Sequence, residues 1–261
     1  LGPDGFTFPL GVKDGIRARH PFRVYRTIDG KEKAVGRVRV NSVLNNCTEA
    51  KPSVLTRRGG SIEEFDLAVE EPYGGAFWGF SGGTTLLPHA ADITGIRFGA
   101  HVIGDLAYLQ NSTSANDWYL HLDTSLAGFG RQDGSSDLIA GAEATIGFER
   151  RYYLPNSPIY FGLEPRIGFQ YLIEDSNDDE IDREARIIVA DGLTTFGIDF
   201  GLGMNIAAFA GLRAGAVIEN TLSQDETMAL QAMAGVSLSF SFGGSAGPFS
   251  LAYRAAEGCQ K

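Results

Sequence analysis

The sequence predicts an all-β protein in which a small β-domain precedes an antiparallel up-and-down barrel of about eight strands. Long segments of the second part alternate between apolar and polar residues with a period of two, as strands do. The 261 residues include 34 glycines and 17 phenylalanines. Residues 1–75 hold 12 Lys or Arg against 10 Asp or Glu, and residues 76–261 hold 10 against 22. This change in charge indicates two parts.

The N-terminal 14 residues are expected to form an extended segment rich in glycine and proline. Leu1-Gly-Pro-Asp4 lacks the charged and apolar regions of a signal peptide, so we expect either a cytosolic chain or a mature form. If this segment joins a missing N-terminal region, part of the function lies outside the chain. The net charge of −10, without a basic tract, argues against nucleic acid as a partner.

Short alternating runs separated by turn residues predict a small β-domain over residues 15–75. Asp29-Gly30 between two such runs is a hairpin signal. Val35, Val38, Val40 and Val43 are its expected core. The runs lie at 21–27, 34–44, 51–55 and 65–72. Their pattern resembles the small five-stranded SH3-like domains of periplasmic and secretion-accessory proteins, and this resemblance carries no catalytic residue.

From residue 76 to 242 the alternating segments become longer and richer in glycine and aromatic residues. Eight strands are predicted, at 76–87, 94–109, 117–129, 138–149, 159–174, 194–205, 209–220 and 228–242. In the fifth, every second residue from Ile159 to Ile173 is apolar, while Glu164, Arg166 and Gln170 lie on the other face. Ordinary strands of soluble proteins are shorter, with a mode near five or six residues.

The polar face of these strands decides whether the apolar face meets a core or lipid. In a soluble barrel the polar face meets water and should be rich in lysine and glutamate. Lys261 is the one lysine after residue 75, and glycine, serine and scattered charges fill the polar face instead. Such residues suit the narrow interior of an eight-stranded barrel. Aromatic residues also stand near segment ends, as interfacial girdles do: Trp118, Tyr152, Tyr153, Tyr171, Phe240 and Phe242.

In these features, residues 76–242 resemble the small eight-stranded outer-membrane β-barrel proteins of bacteria. The resemblance implies a transmembrane barrel in the bacterial outer membrane, outer-membrane lipid as a partner and a periplasmic small domain. The outer connections would be 88–93, 130–137, 175–193 and 221–227, and the inner ones 110–116, 150–158 and 206–208.

The position of the last strand stays open at this point. Residues 243–261 are expected to form a periplasmic tail, but PFSLAYR at 248–254 alternates too. If that run is the last strand, the first strand becomes 94–109 and the longest loop becomes periplasmic.

The polar faces bring together a set of charged residues expected to form a lumen network of ion pairs, because unpaired charge in a narrow barrel is costly. Its expected members are Arg97, His101, Asp105, His121, Asp123, Glu143, Glu164, Arg166, Asp199, Arg213 and Glu219. The network predicts a plugged barrel; a small charge-lined conduit is the alternative.

No catalytic or metal site is predicted, and no cofactor. His121, Asp123 and Ser125 share one face, but positions two apart on a strand lie about 6–7 Å apart, too far for a relay. The acidic run 175–184 begins like a calcium loop, yet Glu180 and Arg186 stand where that loop needs Gly and Glu.

The two cysteines complete the sequence predictions. Cys47 lies in a turn of the small domain and Cys259 in the tail, and we hypothesise a disulfide between them that fastens the small domain under the barrel. Two unpaired thiols are the alternative.

The expected function is therefore structural, an anchor or assembly component that holds a periplasmic protein partner or further copies of the chain. A small porin or transporter and, less favoured, a lipid-modifying enzyme remain alternatives.

Overall fold

The structure is a computed structural model, and it describes residues 6–55, 62–63, 66–71, 75–86, 93–110, 116–131, 138–155, 157–175, 183–201, 204–220 and 230–241. Within these ranges no helix has the length and apolar character needed to span a membrane.

The small domain is a five-stranded antiparallel sheet. Its strands are β1 (Phe6–Phe8), β2 (Pro21–Ile28), β3 (Lys31–Val43), β4 (Thr48–Leu55) and β5 (Leu67–Glu70), with a 3₁₀ turn at Val12–Asp14. Their order in the sheet is β1-β4-β3-β2-β5. The four valines expected in the core are buried, together with Leu10 and Phe22.

Two features of this domain differ from or go beyond the prediction. The sheet begins at Phe6, inside the segment expected to be merely extended, because Phe6–Phe8 pairs with β4. The hairpin at Asp29-Gly30 is confirmed, and both residues have positive φ, 54° and 74°. The likeness to SH3-like domains stays a prediction.

The second part is a closed barrel of eight antiparallel strands, which confirms the predicted architecture. Its strands are β6 (Ala76–Leu86), β7 (Ile93–Asp105), β8 (Trp118–Arg131), β9 (Leu138–Tyr153), β10 (Ile159–Asp175), β11 (Arg183–Gly201), β12 (Met204–Asn220) and β13 (Leu230–Ser241). Each strand pairs with its sequence neighbours, and β13 pairs with β6 to close the ring. We call the end of the barrel next to the small domain the inner end.

The closing pair settles which strand is first. β6 pairs with β7 on one side and with β13 on the other, from Phe77↔Ser241 to Leu86↔Ala232. The alternative in which 94–109 is the first strand is therefore wrong. Residues 248–254 lie outside the described residues, and so do the rest of the tail and Cys259. The bridge from Cys47 to Cys259 stays a prediction, although Cys47 is buried at 7% exposure.

The predicted faces are confirmed along the barrel. On β10, Phe161, Leu163, Ile167, Phe169 and Ile173 point outward and are 40–57% exposed. On the opposite face of the same strand, Tyr160, Glu164, Gln170 and Leu172 are each 0–1% exposed. The large apolar side chains therefore cover the outside of the barrel, and the polar ones fill its inside.

Several predicted boundaries are wrong. β11 begins at Arg183, so the predicted outer loop 175–193 shrinks to 176–182. β7 ends at Asp105, and Leu106–Leu109 forms a single helical turn, α1, where a strand was expected. The inner connection predicted at 206–208 lies within β12, and the short connection instead joins Gly201 to Met204, which pair with each other at the inner end. The acidic run 175–184 falls mostly on 176–182, outside the described residues.

Candidate functional site: the barrel lumen and its inner mouth

The inner end of the barrel is joined to the small domain by Arg19. This residue is 3% exposed, and its backbone is held to β3 because its N–H donates to the Val40 carbonyl over 2.9 Å. Arg19 Nε donates to Asp105 Oδ2 over 3.1 Å, and its other nitrogens bond Asp117 and Tyr119. One guanidinium from the small domain thus binds three side chains of the barrel.

A second arginine of the small domain makes a parallel contact. Arg39 Nη2 donates to Asp199 Oδ2 over 2.7 Å. The guanidiniums of Arg19 and Arg39 lie on the ring of Tyr153, with Cζ 5.6 Å and 5.4 Å from its centroid. We call these groups the inner-mouth clamp: Arg19, Arg39, Asp105, Asp117, Tyr119, Tyr153 and Asp199.

The clamp keeps both arginines charged. Burial acts to lower the pKa of Arg19, but Tyr119 and Asp105 outweigh it and hold that pKa well above its usual range. Burial and the neighbouring Arg19 act to lower the pKa of Arg39, and the attraction of Asp199 outweighs them. Both guanidiniums therefore stay positively charged where the two parts meet.

Above the clamp, the lumen is filled by ion pairs that cross between strands. Arg213 on β12 is 1% exposed; its Nε donates to Asp191 Oδ1 over 2.7 Å, and it also bonds Glu143. Arg97 pairs with the same Glu143 and donates through Nε to Ser125 Oγ over 2.9 Å. Charge-assisted bonds of this kind are what a buried guanidinium requires.

A second layer lies nearer the inner end. Arg166 bonds Glu164 through Nε over 2.7 Å and contacts Asp123 Oδ1 at 3.1 Å. Arg151 Nε donates to Glu149 Oε2 over 2.6 Å. Two carboxylates of this layer, Glu149 on β9 and Glu164 on β10, are each 1% exposed.

His121 links the two halves of this layer. Its Nε2 lies 3.0 Å from Glu149 Oε2, and its Nδ1 lies 3.0 Å from Glu164 Oε1. A neutral ring would turn one lone pair toward a carboxylate oxygen, whereas an imidazolium would donate to both carboxylates.

The same protonation state balances the charges of the two layers. They contain five carboxylates and four guanidiniums: Asp123, Glu143, Glu149, Glu164 and Asp191 against Arg97, Arg151, Arg166 and Arg213. A protonated His121 supplies the fifth positive charge. Balance matters because an uncompensated buried charge costs several kcal/mol.

Glycine on the lumen face makes room for large side chains. Gly197 lies opposite Tyr160 in the β10–β11 pair. A Cβ at Gly197 would stand 2.5 Å from the Tyr160 hydroxyl oxygen, so any other residue would displace the ring. From this position Tyr160 reaches across and donates to Asn205 Oδ1 over 3.0 Å.

Little open space remains in the lumen. A cavity of about 30 Å³ lies among the second-layer residues, room for about one water molecule. Toward the outer end, buried apolar side chains of β8–β11 pack together into an apolar cap: Ala127, Phe129, Ile139, Leu172, Ala185, Ile187 and Val189. The described lumen is therefore plugged by charges below and by hydrocarbon above.

The structure brings most of the residues expected in the lumen network together, with Glu219, Asp105 and Asp199 as exceptions. Glu219 is wrong as a lumen residue. A bulge between Arg186 and Ile187 shifts the β11–β12 register and leaves Ile218 as an extra residue. Alternation then turns Glu219 outward, where it is half-exposed and 3.1 Å from Arg186. Asp105 and Asp199 bond the small domain rather than other lumen residues.

Several participants lie outside the set expected from the sequence. Asp191, Glu149 and Arg151 belong to the lumen ion pairs, and the clamp adds Arg19, Arg39, Asp117, Tyr119 and Tyr153. Asp191 fell within the predicted outer connection 175–193, whereas the structure places it on β11. The alternation of β9 continues through Arg151 and could have revealed that residue.

The arrangement does not form a catalytic relay. His121 contacts carboxylates, and Ser125 accepts from Arg97. His101 Nε2 does lie 2.8 Å from Ser239 Oγ, but Asp123 contacts Arg166 instead. His121, Asp123 and Glu164 place potential metal-ligand atoms within 4.8 Å of one another. Because Arg166 already binds both carboxylates, this set fits an ion-pair layer better than a metal centre.

No family model matches the chain, and no curated protein matches it. A structure search finds a likeness to the crystal structure of Neisserial surface protein A, with 12% identity and a TM-score of 0.47, covering 64% of this chain and 96% of that one. The functional conclusions below therefore rest on the geometry of this chain.

Proposed function

We propose that the chain is a bacterial outer-membrane protein whose plugged barrel anchors the small domain at the periplasmic face of the membrane. The clamp is the observation that carries this proposal. A domain bonded to the barrel through two buried or half-buried arginines is held in a fixed position, as a docking platform needs to be.

The height of the outward apolar band supports lipid around the barrel. On β10 the exposed apolar residues run from Phe161 to Ile173. At about 3.3 Å per residue and a tilt of about 40°, this length spans a height of about 30 Å. The hydrocarbon core of a bilayer has about the same thickness.

Aromatic and basic side chains near the inner end support the same placement. Trp78 packs against Phe80 and Phe240, with ring centroids 5.6 Å and 5.4 Å away. Arg150 lies over Trp118 at 5.3 Å and over Tyr152 at 5.7 Å. Such amphipathic residues gather at the membrane–water boundary.

The filled lumen favours an anchor over the two alternatives. A porin needs a continuous water-filled path, whereas the ion pairs and the apolar cap occupy the described lumen. A lipid-modifying enzyme needs a reactive group that its substrate can reach, and Ser125 and Ser239 are both buried. A partner protein or further copies of this chain would bind the small domain.

Migration on SDS gels, boiled against unboiled, tests the membrane placement on protein extracted from membranes with detergent. We expect a shift on boiling and recovery in the membrane fraction alone. A soluble protein without a shift would refute the proposal. Crosslinking from the small domain in intact cells then tests the anchor role, and steady conductance of the pure protein in planar bilayers would favour a porin instead.

A further inference from the structure

A cavity of about 210 Å³ lies between the small domain and the inner end of the barrel. It is smaller than the pockets of about 300–1,000 Å³ that hold drug-sized ligands. Arg39 and Lys51 line it from the small domain, and Tyr153, Leu154 and Pro158 line it from the barrel. Junctions between structural units are a preferred place for small-molecule sites.

Two cationic side chains of this cavity, Lys51 and Arg39, have N–H donors that make no hydrogen bond within the described ranges. No hydrogen bond or ion pair joins the Lys51 side chain to any other residue in the described ranges, and Lys51 is exposed. Arg39 uses Nη2 for Asp199, while Nε and Nη1 make no hydrogen bond within those ranges. An arginine fork with free donors beside a lysine favours a carboxylate or a phosphate.

The opposite wall is suited to the apolar part of a ligand. Leu154 and Pro158 supply hydrocarbon surface there beside the ring of Tyr153, and Pro52 adds to it from the small domain. The carboxylates of the barrel wall, Asp117 and Asp199, already bond Arg19 and Arg39 and so do not cancel the charge of Lys51.

We propose that this cavity binds a small anionic molecule whose carboxylate or phosphate meets Arg39 and Lys51 and whose apolar part lies on Pro52, Leu154 and Pro158. The inference goes beyond the anchor role. It depends on the cavity alone, so it stands whether or not the barrel lies in a membrane.

Fluorine NMR of the full chain in detergent tests this inference with three probes of similar shape: para-fluorobenzoate, para-fluorophenyl phosphate and the uncharged para-fluorobenzamide. We expect saturable binding of at least one anion and none of the amide. Comparison of the two anions tells a carboxylate site from a phosphate site. Equal binding of the amide, or no binding of any probe, would overturn the inference.

Variants locate the binding. Lys51→Gln removes a charge that has no partner within the described ranges, so the fold should persist while anion affinity falls about tenfold or more. Arg39→Gln should also abolish binding, although it breaks a clamp bond too. Lys33→Gln is the matched control, since Lys33 is exposed on the β2–β3 hairpin outside the cavity lining. An affinity loss in Lys33→Gln equal to that in Lys51→Gln would show that the anions respond to overall charge and not to the cavity.

Discussion

Arg19 holds a backbone conformation that a side chain with a Cβ rarely adopts. Its φ is 71°, in the left-handed region, which costs a non-glycine residue about 1–2 kcal/mol. Glycine would remove this strain but would also remove the guanidinium that bonds Asp105, Asp117 and Tyr119. The contacts of the clamp therefore outweigh the local strain.

Arg19→Gly is expected to loosen the small domain from the barrel in spite of the relaxed backbone. It leaves Asp105, which is 0% exposed, without this arginine, and losing one partner of a buried ion pair costs about 3–5 kcal/mol. Hydrogen exchange over β2 and β3 should rise. Asp29→Gly is the matched control, because Asp29 has φ of 54° in an exposed turn, and exchange there should stay unchanged or fall. Equal exchange in the two variants would contradict the clamp.

A substitution at His121 tests the charge balance of the two lumen layers. If an imidazolium at His121 balances the lumen layers, His121→Gln leaves them with one uncompensated negative charge, and the free energy of unfolding should fall by about 3–5 kcal/mol. His101→Gln should cost about 1 kcal/mol, since His101 has one hydrogen bond, to Ser239. Urea unfolding followed by tryptophan fluorescence measures both. The charge balance is refuted if the two variants lose the same stability.

At the scale of elements, alternation predicted the eight strands and their faces because a strand half-covered by apolar residues leaves a period of two in the sequence. It failed where local turn signals competed with tertiary pairing. Asp191-Gly192 reads as a turn, yet Gly192 pairs with Pro165 and Asp191 is fixed by Arg213. The bulge that turns Glu219 outward leaves no mark in the sequence either.

Paired cysteines test the contact between β6 and β13 that closes the barrel. Ser81 on β6 and Ser237 on β13 are directly opposite each other. The double variant Ser81→Cys/Ser237→Cys should form a crosslink that changes migration on a non-reducing gel. Ser81→Cys/Thr194→Cys is the control, because β11 is not a neighbour of β6. A crosslink in the control alone would contradict the order of the strands.

At the scale of the whole molecule, the two parts could be recognised from the sequence, but their contact could not. The clamp joins residues far apart in the chain, Arg19 to Asp105 and Arg39 to Asp199. The alternation of residues along a strand does not indicate which face of the small domain contacts which end of the barrel. For the same reason, the sequence predicts that the lumen charges form ion pairs but not which residues pair with each other.

A charged residue introduced on the outside of the barrel tests whether lipid surrounds it. Leu126 points outward and is 68% exposed. In lipid, Leu126→Arg should lower the free energy of unfolding by about 2–4 kcal/mol. Leu44→Arg is the control, because Leu44 is 48% exposed on the small domain and should tolerate arginine. If both substitutions are neutral, water and not lipid surrounds the barrel.

The seam between β6 and β13 has a consequence for how the molecule is made. It joins the first and the last strand of the barrel, so the ring stays open until the end of the barrel sequence has been synthesised. Contacts between such distant segments form slowly. The hairpins of the small domain join near neighbours in the chain and can fold first. The small domain lies wholly before the barrel in the chain, so its five strands are synthesised before the ring can close.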